Sequence, residues 1–335
     1  MIRPTAFVVH DPSFEAVLGP DPQLTEVIAT DAHEGLVYAP VEDALYFTTL
    51  PRFSTPRRPL VAIKRLALDG KRFPIRSERL ITIEVDVHAA NGMCLDHRGH
   101  LVVCEQGDSS HHGRISRVDP TSGTVDTIVD EWAGLRLNSP NDVVMKSDGT
   151  IWFTDPSYGY LQGFKAAAQI GDFVYRYDPA TGRMSVVADS FVKPNGLAFS
   201  PDETTLYITD SGANQEPGSY HVHLPHHVIA FDVSDGRRLT NARLFAVTSP
   251  GFPDGIKVDD AGRVYASSSA GVQIFDPVGN LIGEIHLPGT VNFTFGGADR
   301  DVLFIATDTA IWAAITAARG PRLPHPAAQG VQPCP

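Results

Sequence analysis

Residues 138–159 read NSPNDVVMKSDGTIWFTDPSYG and carry the clearest structural pattern in the chain. Val143 and Met145 precede a polar Lys-Ser-Asp-Gly segment, and Ile151 and Phe153 follow it, each pair being spaced two residues apart. A period of two is typical of a β-strand that buries one face. Because Asp and Gly adopt the backbone angles of tight turns, the stretch predicts two antiparallel strands joined as a hairpin.

The same strand–turn–strand pattern occurs five more times. Counted from Glu34, the intervals between the first polar residues of successive copies are 57, 50, 54, 59 and 38 residues. Repeats of this length that contain short strands are typical of β-propeller blades. The other copies are HEGLVYAPVEDALYFTTL from His33, NGMCLDHRGHLVVCEQG from Asn91, NGLAFSPDETTLYITDSG from Asn195, DGIKVDDAGRVYASSSAG from Asp254 and NFTFGGADRDVLFIATDTA from Asn292.

Further β-prone runs lie between the copies, for example VAIKRLALDG at residues 61–70 and FVYRYDPATG at residues 173–182. Each repeat therefore supplies about four strands. We predict an all-β protein, a six-bladed β-propeller with four-stranded antiparallel blades around a central channel, formed by residues 1–318 as a single domain. Two stacked β-sandwiches are the alternative, but a sandwich gives no reason for six similar hairpins.

The two ends of the chain have separate expected roles. Because the last interval is short, the N-terminal segment Phe14–Leu18 is expected to supply the missing outer strand of the last blade. Such closure would remove the exposed sheet edges that an open array leaves. The Pro-rich tail, residues 319–335, is expected to be extended coil outside the core.

Composition and charge exclude several classes of protein. Of the 335 residues 42% are hydrophobic, which is too many for a disordered chain, and Gly 29 with Pro 26 favours many short strands. The formal net charge of −12 argues against a nucleic acid or an anionic membrane as partner and suits a bound cation. With no run of 18 apolar residues and no convincing secretory signal, we expect a cytoplasmic protein.

The cysteines leave two alternatives open. Three cysteines in a chain of this size do not form a disulfide framework, so a reducing compartment is the default. Cys94 and Cys104 flank a predicted hairpin turn, where they are either two buried thiols or a cross-strand disulfide.

The propeller prediction brings distant residues together. The innermost strand of every blade begins at the same end of the central channel, so the first polar residues of the six copies are expected to converge. All six carry a side-chain oxygen, and none is Lys or Arg. The positions are Glu34, Asn91, Asn141, Asn195, Asp254 and Asn292.

Two carboxylates and several amide oxygens form a hard, all-oxygen donor set. Ca²⁺ fits such a set best, because it accepts 6–8 oxygens in loose geometry; Mg²⁺, Mn²⁺ and Zn²⁺ are the alternatives, and a structural Zn²⁺ is disfavoured. Asn-Gly and Asp-Gly pairs are also common turn residues, which is the competing interpretation of each single copy. Their coincidence at six equivalent positions favours one divalent-cation site.

At these residues the sequence resembles the senescence-marker-protein/gluconolactonase family, also called regucalcin-like, a set of six-bladed metal-dependent hydrolases. The resemblance extends roughly from Phe14 to Ala313. The stretches that carry it are HEGLVY around Glu34, LNSPNDVVMKSDGTIWFTDPSYG from Leu137, KPNGLAFSPDETTLYITD from Lys193 and PDGIKVDDAGRVYAS from Pro253.

By position, the resemblance implies metal ligands at Glu34, Asn141, Asn195 and Asp254, with Asp254 also the catalytic residue that orients or deprotonates water. Candidate substrate contacts lie at the convergent end or on loops expected at that end. They are Asn91, Glu105, Ser139, Tyr158 and His221.

The function predicted from these residues is metal-dependent opening of a small lactone, a sugar aldonolactone or a related hydroxy-acid lactone. The cation would polarise the carbonyl for attack by water. Hydrolysis of phosphotriesters or phosphorofluoridates at the same site is the alternative enzymatic hypothesis. A noncatalytic propeller, in which the metal only fastens the channel, is the alternative from another class.

Overall fold

The computed structural model describes residues 6–55, 57–70 and 75–322, and almost every regular element in it is a β-strand. Two helices of one turn each, α1 (Glu15–Leu18) and α2 (Tyr158–Leu161), are the exceptions, with one 3-10 turn at Pro12–Phe14. Within the described residues, no helix combines the length and hydrophobicity needed to cross a bilayer.

The strands are short and follow one another closely along the chain. In order they are β1 Phe7–Val9, β2 Gln23–Ala29, β3 Ala32–Ala39, β4 Ala44–Thr49, β5 Arg52–Thr55, β6 Arg58–Leu60, β7 Ile63–Leu68, β8 Ser77–Ile83, β9 Ala90–Leu95, β10 Leu101–Glu105, β11 Arg114–Val118, β12 Val125–Val129, β13 Glu131–Trp132, β14 Leu135–Arg136, β15 Val143–Met145, β16 Ile151–Asp155, β17 Phe173–Asp178, β18 Arg183–Ala188, β19 Pro194–Phe199, β20 Thr205–Asp210, β21 His227–Ser234, β22 Arg238–Val247, β23 Ile256–Val258, β24 Val264–Ser268, β25 Gly271–Phe275, β26 Leu281–His286, β27 Asn292–Gly296, β28 Val302–Ala306 and β29 Ala310–Ile315.

Six antiparallel sheets form the blades of a β-propeller, which confirms the predicted fold class. Blade 1 is β3-β4-β7-β8, blade 2 is β9-β10-β11-β12, blade 3 is β15-β16-β17-β18 and blade 4 is β19-β20-β21-β22. Blade 5 is β23-β24-β25-β26 with β1 added at its outer edge, and blade 6 is β27-β28-β29-β2. The hairpins β5-β6 and β13-β14 are separate two-stranded sheets.

The register of blade 3 agrees with the alternation in the sequence. Val143 pairs with Phe153 and Met145 with Ile151, around a turn closed by the hydrogen bond from the N–H of Gly149 to the carbonyl of Lys146. Gly149 has a φ of +83°, which L residues with a side chain rarely adopt. The four apolar side chains therefore share one face of the sheet.

The hydrophobic core is divided into six clusters, one between each pair of neighbouring blades. Val143, Ile151 and Phe153 of blade 3 pack against blade 2, whereas Trp152, on the opposite face, packs against blade 4. The cluster between blades 6 and 1 closes the ring. Both faces of every blade are thus buried. This explains why an apolar residue, Trp152, also stands between Ile151 and Phe153.

An N-terminal strand does pair with the last blade, but it is not the predicted segment. Phe14–Leu18 forms the end of a 3-10 turn and helix α1, whereas β2, Gln23–Ala29, pairs with β29. Phe14, Val17 and Leu18 are all fully buried, and their i, i+3, i+4 spacing suits a helix and not a strand. The prediction for Phe14–Leu18 was therefore wrong.

Two smaller predictions concern the cysteines and the tail. Cys94 and Cys104 are free thiols, with Cys104 buried. Burial raises the pKa of both thiols. Most of the predicted tail 319–335, including Cys334, lies outside the described residues.

Candidate functional site

The innermost strands of the blades lie side by side around the channel, each against the next, with β27 against β3. Each of the six predicted convergent residues lies in the first half of such a strand or within two residues of its start. Five of the six side chains are buried, and Asp254 is half-buried. The structure therefore places these distant positions at one end of the channel.

The glycine after four of these residues allows the blades to approach closely. A Cβ atom at Gly35 would lie 2.4 Å from the carbonyl oxygen of Asn91, and one at Gly92 would lie 2.5 Å from that of Asn141. The N–H of Gly92 donates to the Asn141 carbonyl at 2.8 Å. The Asn-Gly pairs of this chain therefore serve contact between blades, since Gly92 does not adopt a positive φ.

Hydroxyl groups on the second strand of three blades hold the site residue of the next blade. Thr48 donates its Oγ1 proton to the carbonyl of Asn91 at 3.2 Å, and Thr154 donates to that of Asn195 at 2.7 Å. The hydroxyl of Thr209 donates to the Asp254 carbonyl at 3.1 Å. Each blade thus fixes the backbone from which its neighbour presents a polar side chain.

The carboxylates of Glu34 and Asp254 face each other at the centre of this ring. Burial, followed by the charge of Asp254, raises the pKa of Glu34 well above its ordinary value. Burial also raises the pKa of Asp254 to about 7, opposed by hydrogen bonds with Glu34 and Asn195. Asn292 donates its Nδ2 proton to Glu34 Oε2 at 2.6 Å. Two adjacent buried carboxyl groups of this kind are disfavoured as anions unless a positive charge lies between them.

Two amide oxygens of the same ring are buried without a hydrogen-bond donor in the part of the chain that is described. They are Asn91 Oδ1 and Asn141 Oδ1. A buried polar atom without a partner is costly, so it usually has a ligand or an ion beside it. Together with the two carboxylates they form an all-oxygen donor set that fits Ca²⁺ or a similar hard cation.

The candidate substrate residues differ in whether they are buried near the six convergent residues. The Tyr158 side chain is buried, with its hydroxyl beside Asn195 and Ser211. Ser139 is buried and its Oγ accepts the N–H of Gly159 at 3.0 Å.

Glu105 and His221 have other partners. The carboxylate of Glu105 is fully buried and accepts from Arg114 Nε at 2.8 Å and from the backbone N–H of His88 at 2.8 Å. His221 lies on an exposed loop with its Nε2 3.2 Å from Glu216 Oε2. Neither side chain forms a hydrogen bond with the six convergent residues in the described ranges.

Sequence reasoning missed Asp142, which follows the ligand candidate Asn141. Its carboxyl group is buried and accepts from the N–H of Val143 at 2.9 Å. Burial raises its pKa, partly offset by Lys257, and its charge acts in turn on Glu34 and Asp254. The copies contain no acidic residue at this position elsewhere, so the repeat comparison gave no signal for it.

A second polar cluster is not arranged to bind a metal. His88, Asp108 and His111 place one potential ligand atom each within 4.8 Å of one another. However, the two imidazole rings are stacked, with centroids 3.5 Å apart and planes at 9°. Because a metal bonds to an imidazole nitrogen in the plane of the ring, one ion cannot serve two parallel rings. Asp108 Oδ1 instead lies 3.0 Å from His111 Nδ1 and accepts the N–H of Ser110.

The match to a known protein family agrees with this geometry. Residues 32–309 match the model of the family described as the SMP-30/Gluconolactonase/LRE-like region. The chain belongs to this family. The resemblance that the motifs carry is therefore confirmed, and it covers all six convergent residues.

Members and structural neighbours of this family include named lactone hydrolases. Lactonohydrolase oryL of Aspergillus oryzae is 30% identical over 311 residues, which are 87% of this chain and 69% of the relative. The gluconolactonase of Zymomonas mobilis is 32% identical over 200 residues, and the match spans 58% of this chain and 54% of the relative.

Two solved structures show how far the fold is shared. A gluconolactonase from Xanthomonas campestris is 31% identical with a TM-score of 0.73, and the match covers 92% of this chain and 94% of that one. A calcium-binding protein, regucalcin, from Agrobacterium tumefaciens is 17% identical with a TM-score of 0.64, covering 89% and 93% of the two chains. The second comparison concerns the fold alone.

Proposed function

We propose that this protein is a metal-dependent hydrolase that opens a small lactone, with one divalent cation, most simply Ca²⁺, held by Glu34, Asn141, Asn195 and Asp254. One observation carries the proposal: the carboxyl groups of the buried Glu34 and the half-buried Asp254 interact with each other in a ring that also holds amide oxygens without a donor in the described chain. The names of the relatives, lactonohydrolase and gluconolactonase, support the lactone as substrate.

The four protein ligands leave coordination positions open on the cation. Four protein oxygens fill only part of the 6–8 positions that Ca²⁺ accepts, so water or substrate can occupy the others. When bound, the cation would polarise the lactone carbonyl and stabilise negative charge that develops on its oxygen.

Asp254 is the residue best placed to act on water. It is half-buried whereas Glu34 is 4% exposed, so Asp254 is the carboxylate that an incoming substrate and water can reach. It would orient the attacking water and accept its proton, and the acyl C–O bond of the ring would break. That proton would end on the released alkoxide oxygen, giving the hydroxy acid.

Two neighbours would position the reacting groups. The buried Tyr158 hydroxyl lies near Asn195 and has no hydrogen-bond partner in the described chain, so it would donate to a bound substrate. The buried amide of Asn91, whose Oδ1 has no donor in the described chain, would contact the cation or a substrate hydroxyl. These roles need side chains held rigidly, as their burial between blades provides.

The test is acid release from a panel of lactones in a pH-stat. We expect release to stop with chelator and to return with Ca²⁺, and Asp254→Asn to lower turnover by about 10²-fold or more while the circular dichroism spectrum is unchanged. Asp260→Asn, a change at an exposed turn carboxylate, is the matched control. A folded, cation-binding protein that opens none of the lactones would favour a noncatalytic propeller, and release from phosphotriesters alone would favour the alternative enzyme.

A further inference from the structure

A cleft of about 230 Å³ is lined in part by residues 136–139, which immediately precede the loop that carries the proposed ligand Asn141. Its lining includes Ser139, His111, His112, Tyr160 and Lys165. Polar groups and an aromatic ring therefore surround a volume large enough for a few heavy atoms of a substrate.

The cleft is joined to the centre through a short chain of contacts. Ser139, two residues before the proposed ligand Asn141, accepts the N–H of Gly159. Gly159 follows Tyr158, whose hydroxyl lies beside Asn195. A Cβ atom at Gly159 would lie 2.6 Å from Lys165 Cδ, so the stem of that lysine packs directly on this backbone. Ser139 and Lys165, which line the cleft, are thus connected through Gly159 and Tyr158 to the proposed ligand Asn195.

Lys165 has no carboxylate partner within 4.0 Å among the described residues, a feature it shares with Lys257, whose Nζ donates to the carbonyl of Ile256. Its Nζ donates to the backbone carbonyls of Gln106, at 2.6 Å, and of Asn138. By contrast, the partly buried Lys64, Lys146 and Lys193 each form an ion pair. Two carbonyl acceptors leave one of the three ammonium protons free.

The nearby acidic groups do not supply the missing counter-ion directly. Asp108 Oδ1 is occupied by His111 and the N–H of Ser110, and Asp155 Oδ2 accepts the N–H of Asn138. Both carboxyl groups act on Lys165 only at longer range, and burial lowers the pKa of this lysine to about 8. A largely desolvated ammonium group of this kind gains most from an anion that enters the cleft.

We propose that the cleft binds a carboxylate carried by the substrate, with Lys165 as the specificity-determining contact, so that lactones bearing a free carboxylate are preferred over neutral lactones. The inference rests on the proposed lactone hydrolysis and specifies its substrate class. Arg136 also lines this volume but is paired with Asp130, and the other polar groups of the lining include Asp108, His111, His112 and Ser139.

The experiment compares two lactones of equal ring size, glucaro-1,4-lactone with a free carboxylate and glucono-1,4-lactone without one. We expect kcat/KM of the wild type to be about tenfold or more higher for the carboxylate-bearing lactone, since one charge-assisted hydrogen bond is worth at least that factor. Lys165→Gln should remove most of this preference, chiefly through KM, and Lys165→Arg should retain part of it. Arg183→Gln, the same charge change at an exposed outer strand, should leave the preference unchanged.

A calorimetric titration tests carboxylate binding separately from lactone hydrolysis. Glucarate should bind the purified wild type more tightly than gluconate, and Lys165→Gln should lose that difference. If neither lactone nor any other lactone of the panel is opened, the proposed function is wrong, and the binding difference alone decides the carboxylate inference. If both lactones are opened at similar kcat/KM by the wild type, the inference is overturned and lactone hydrolysis stands, whether or not Lys165→Gln folds.

Discussion

Asn141 shows at the scale of one residue how the site differs from an ordinary turn. Its Oδ1 is buried and has no donor in the described chain. The nearby Asn138 also has a buried Oδ1 without a donor, but its Nδ2 donates to the carbonyls of Asp155 and Gly171, at 3.1 and 3.0 Å. A buried amide oxygen without a partner costs about 1–3 kcal/mol. Asn141 therefore differs from Asn138 in having no amide hydrogen bond to the described part of the fold that offsets this cost.

This difference predicts opposite behaviour for two leucine variants. Asn141→Leu should leave the melting temperature of the chelator-treated protein unchanged or higher, because no protein hydrogen bond through Oδ1 is lost, but should reduce the rise in melting temperature on adding Ca²⁺. Asn138→Leu should lower the melting temperature with or without Ca²⁺, because two buried carbonyls lose their donor. Thermal unfolding by circular dichroism measures both. A full Ca²⁺ response in Asn141→Leu would contradict the assignment of Asn141 as a ligand.

The convergent oxygens could be predicted from the repeat, but their surroundings could not. Glu34 and Asp254 carry a signal because equivalent positions in six copies hold the same type of atom. Glu105 was also predicted to contact the substrate, yet its carboxylate accepts a hydrogen bond from Arg114. Asp142 carries no repeat signal, because its charge acts on the centre only once neighbouring blades pack together. Pairing between distant side chains is not encoded in local spacing.

At the scale of the strand, a threonine hydroxyl links each of three blades to the next. Thr154 is fully buried and binds the carbonyl of Asn195, so it fixes the start of β19. The residues TT, TD and TD at the ends of β4, β16 and β20 repeat this feature in the sequence. The repeat therefore contains a local signal for this link between blades, at the end of the second strand.

Removing this hydroxyl should destabilise the fold and disturb the site. Thr154→Val keeps the shape of the side chain but leaves the Asn195 carbonyl without this donor, so the free energy of unfolding should fall by about 1–3 kcal/mol. Denaturant unfolding measures the change. Thr240→Val, at an exposed position of an outer strand, should change it by about 0.5 kcal/mol or less. Equal effects of the two variants would contradict the role of Thr154.

Turns of neighbouring blades are also linked, by Glu203. Its carboxylate accepts from the N–H of Ser147 at 2.7 Å and from Lys146 Nζ at 2.9 Å. Burial acts to raise the pKa of Glu203, but these bonds outweigh burial and hold the pKa below its usual value of 4.5. A carboxyl pKa that is lowered on folding stabilises the protein above the unfolded pKa, and this contribution is lost as the pH falls through the folded value.

Glu203→Gln should therefore lower the free energy of unfolding at pH 7, and its difference from the wild type should shrink below about pH 4. Urea unfolding at several pH values measures this. Glu78→Gln removes the same charge at an exposed position of β8 and serves as the control. A difference between Glu203→Gln and the wild type that stays constant down to pH 3 would show that the bridge does not depend on the charge of Glu203.

At the scale of the whole molecule, the ring and its closure follow from different kinds of information. The six-bladed architecture could be predicted, because six copies of one strand–turn–strand pattern recur along the chain with further β-prone runs between them. The closing strand β2 could not be told from Phe14–Leu18 by composition alone, since both segments are partly apolar. The buried face of α1 against blades 5 and 6 decides between them.

Ring closure is what brings Glu34 of blade 1 next to Asn292 of blade 6 and within interaction range of Asp254 of blade 5. The buried carboxyl groups thus come from separate blades, and no single blade could hold a cation with them. In a chain of net charge −12, these two groups concentrate negative charge at one point, and the proposed cation site depends on that concentration.

Calorimetric titration of Ca²⁺ into the chelator-stripped protein tests the proposed cation site most directly. We expect one saturable Ca²⁺ site per chain in the wild type. We expect no saturable Ca²⁺ binding in the double variant Glu34→Gln, Asp254→Asn, with unchanged circular dichroism. Saturable binding of equal affinity in both proteins, or none in the wild type, would contradict the proposed site.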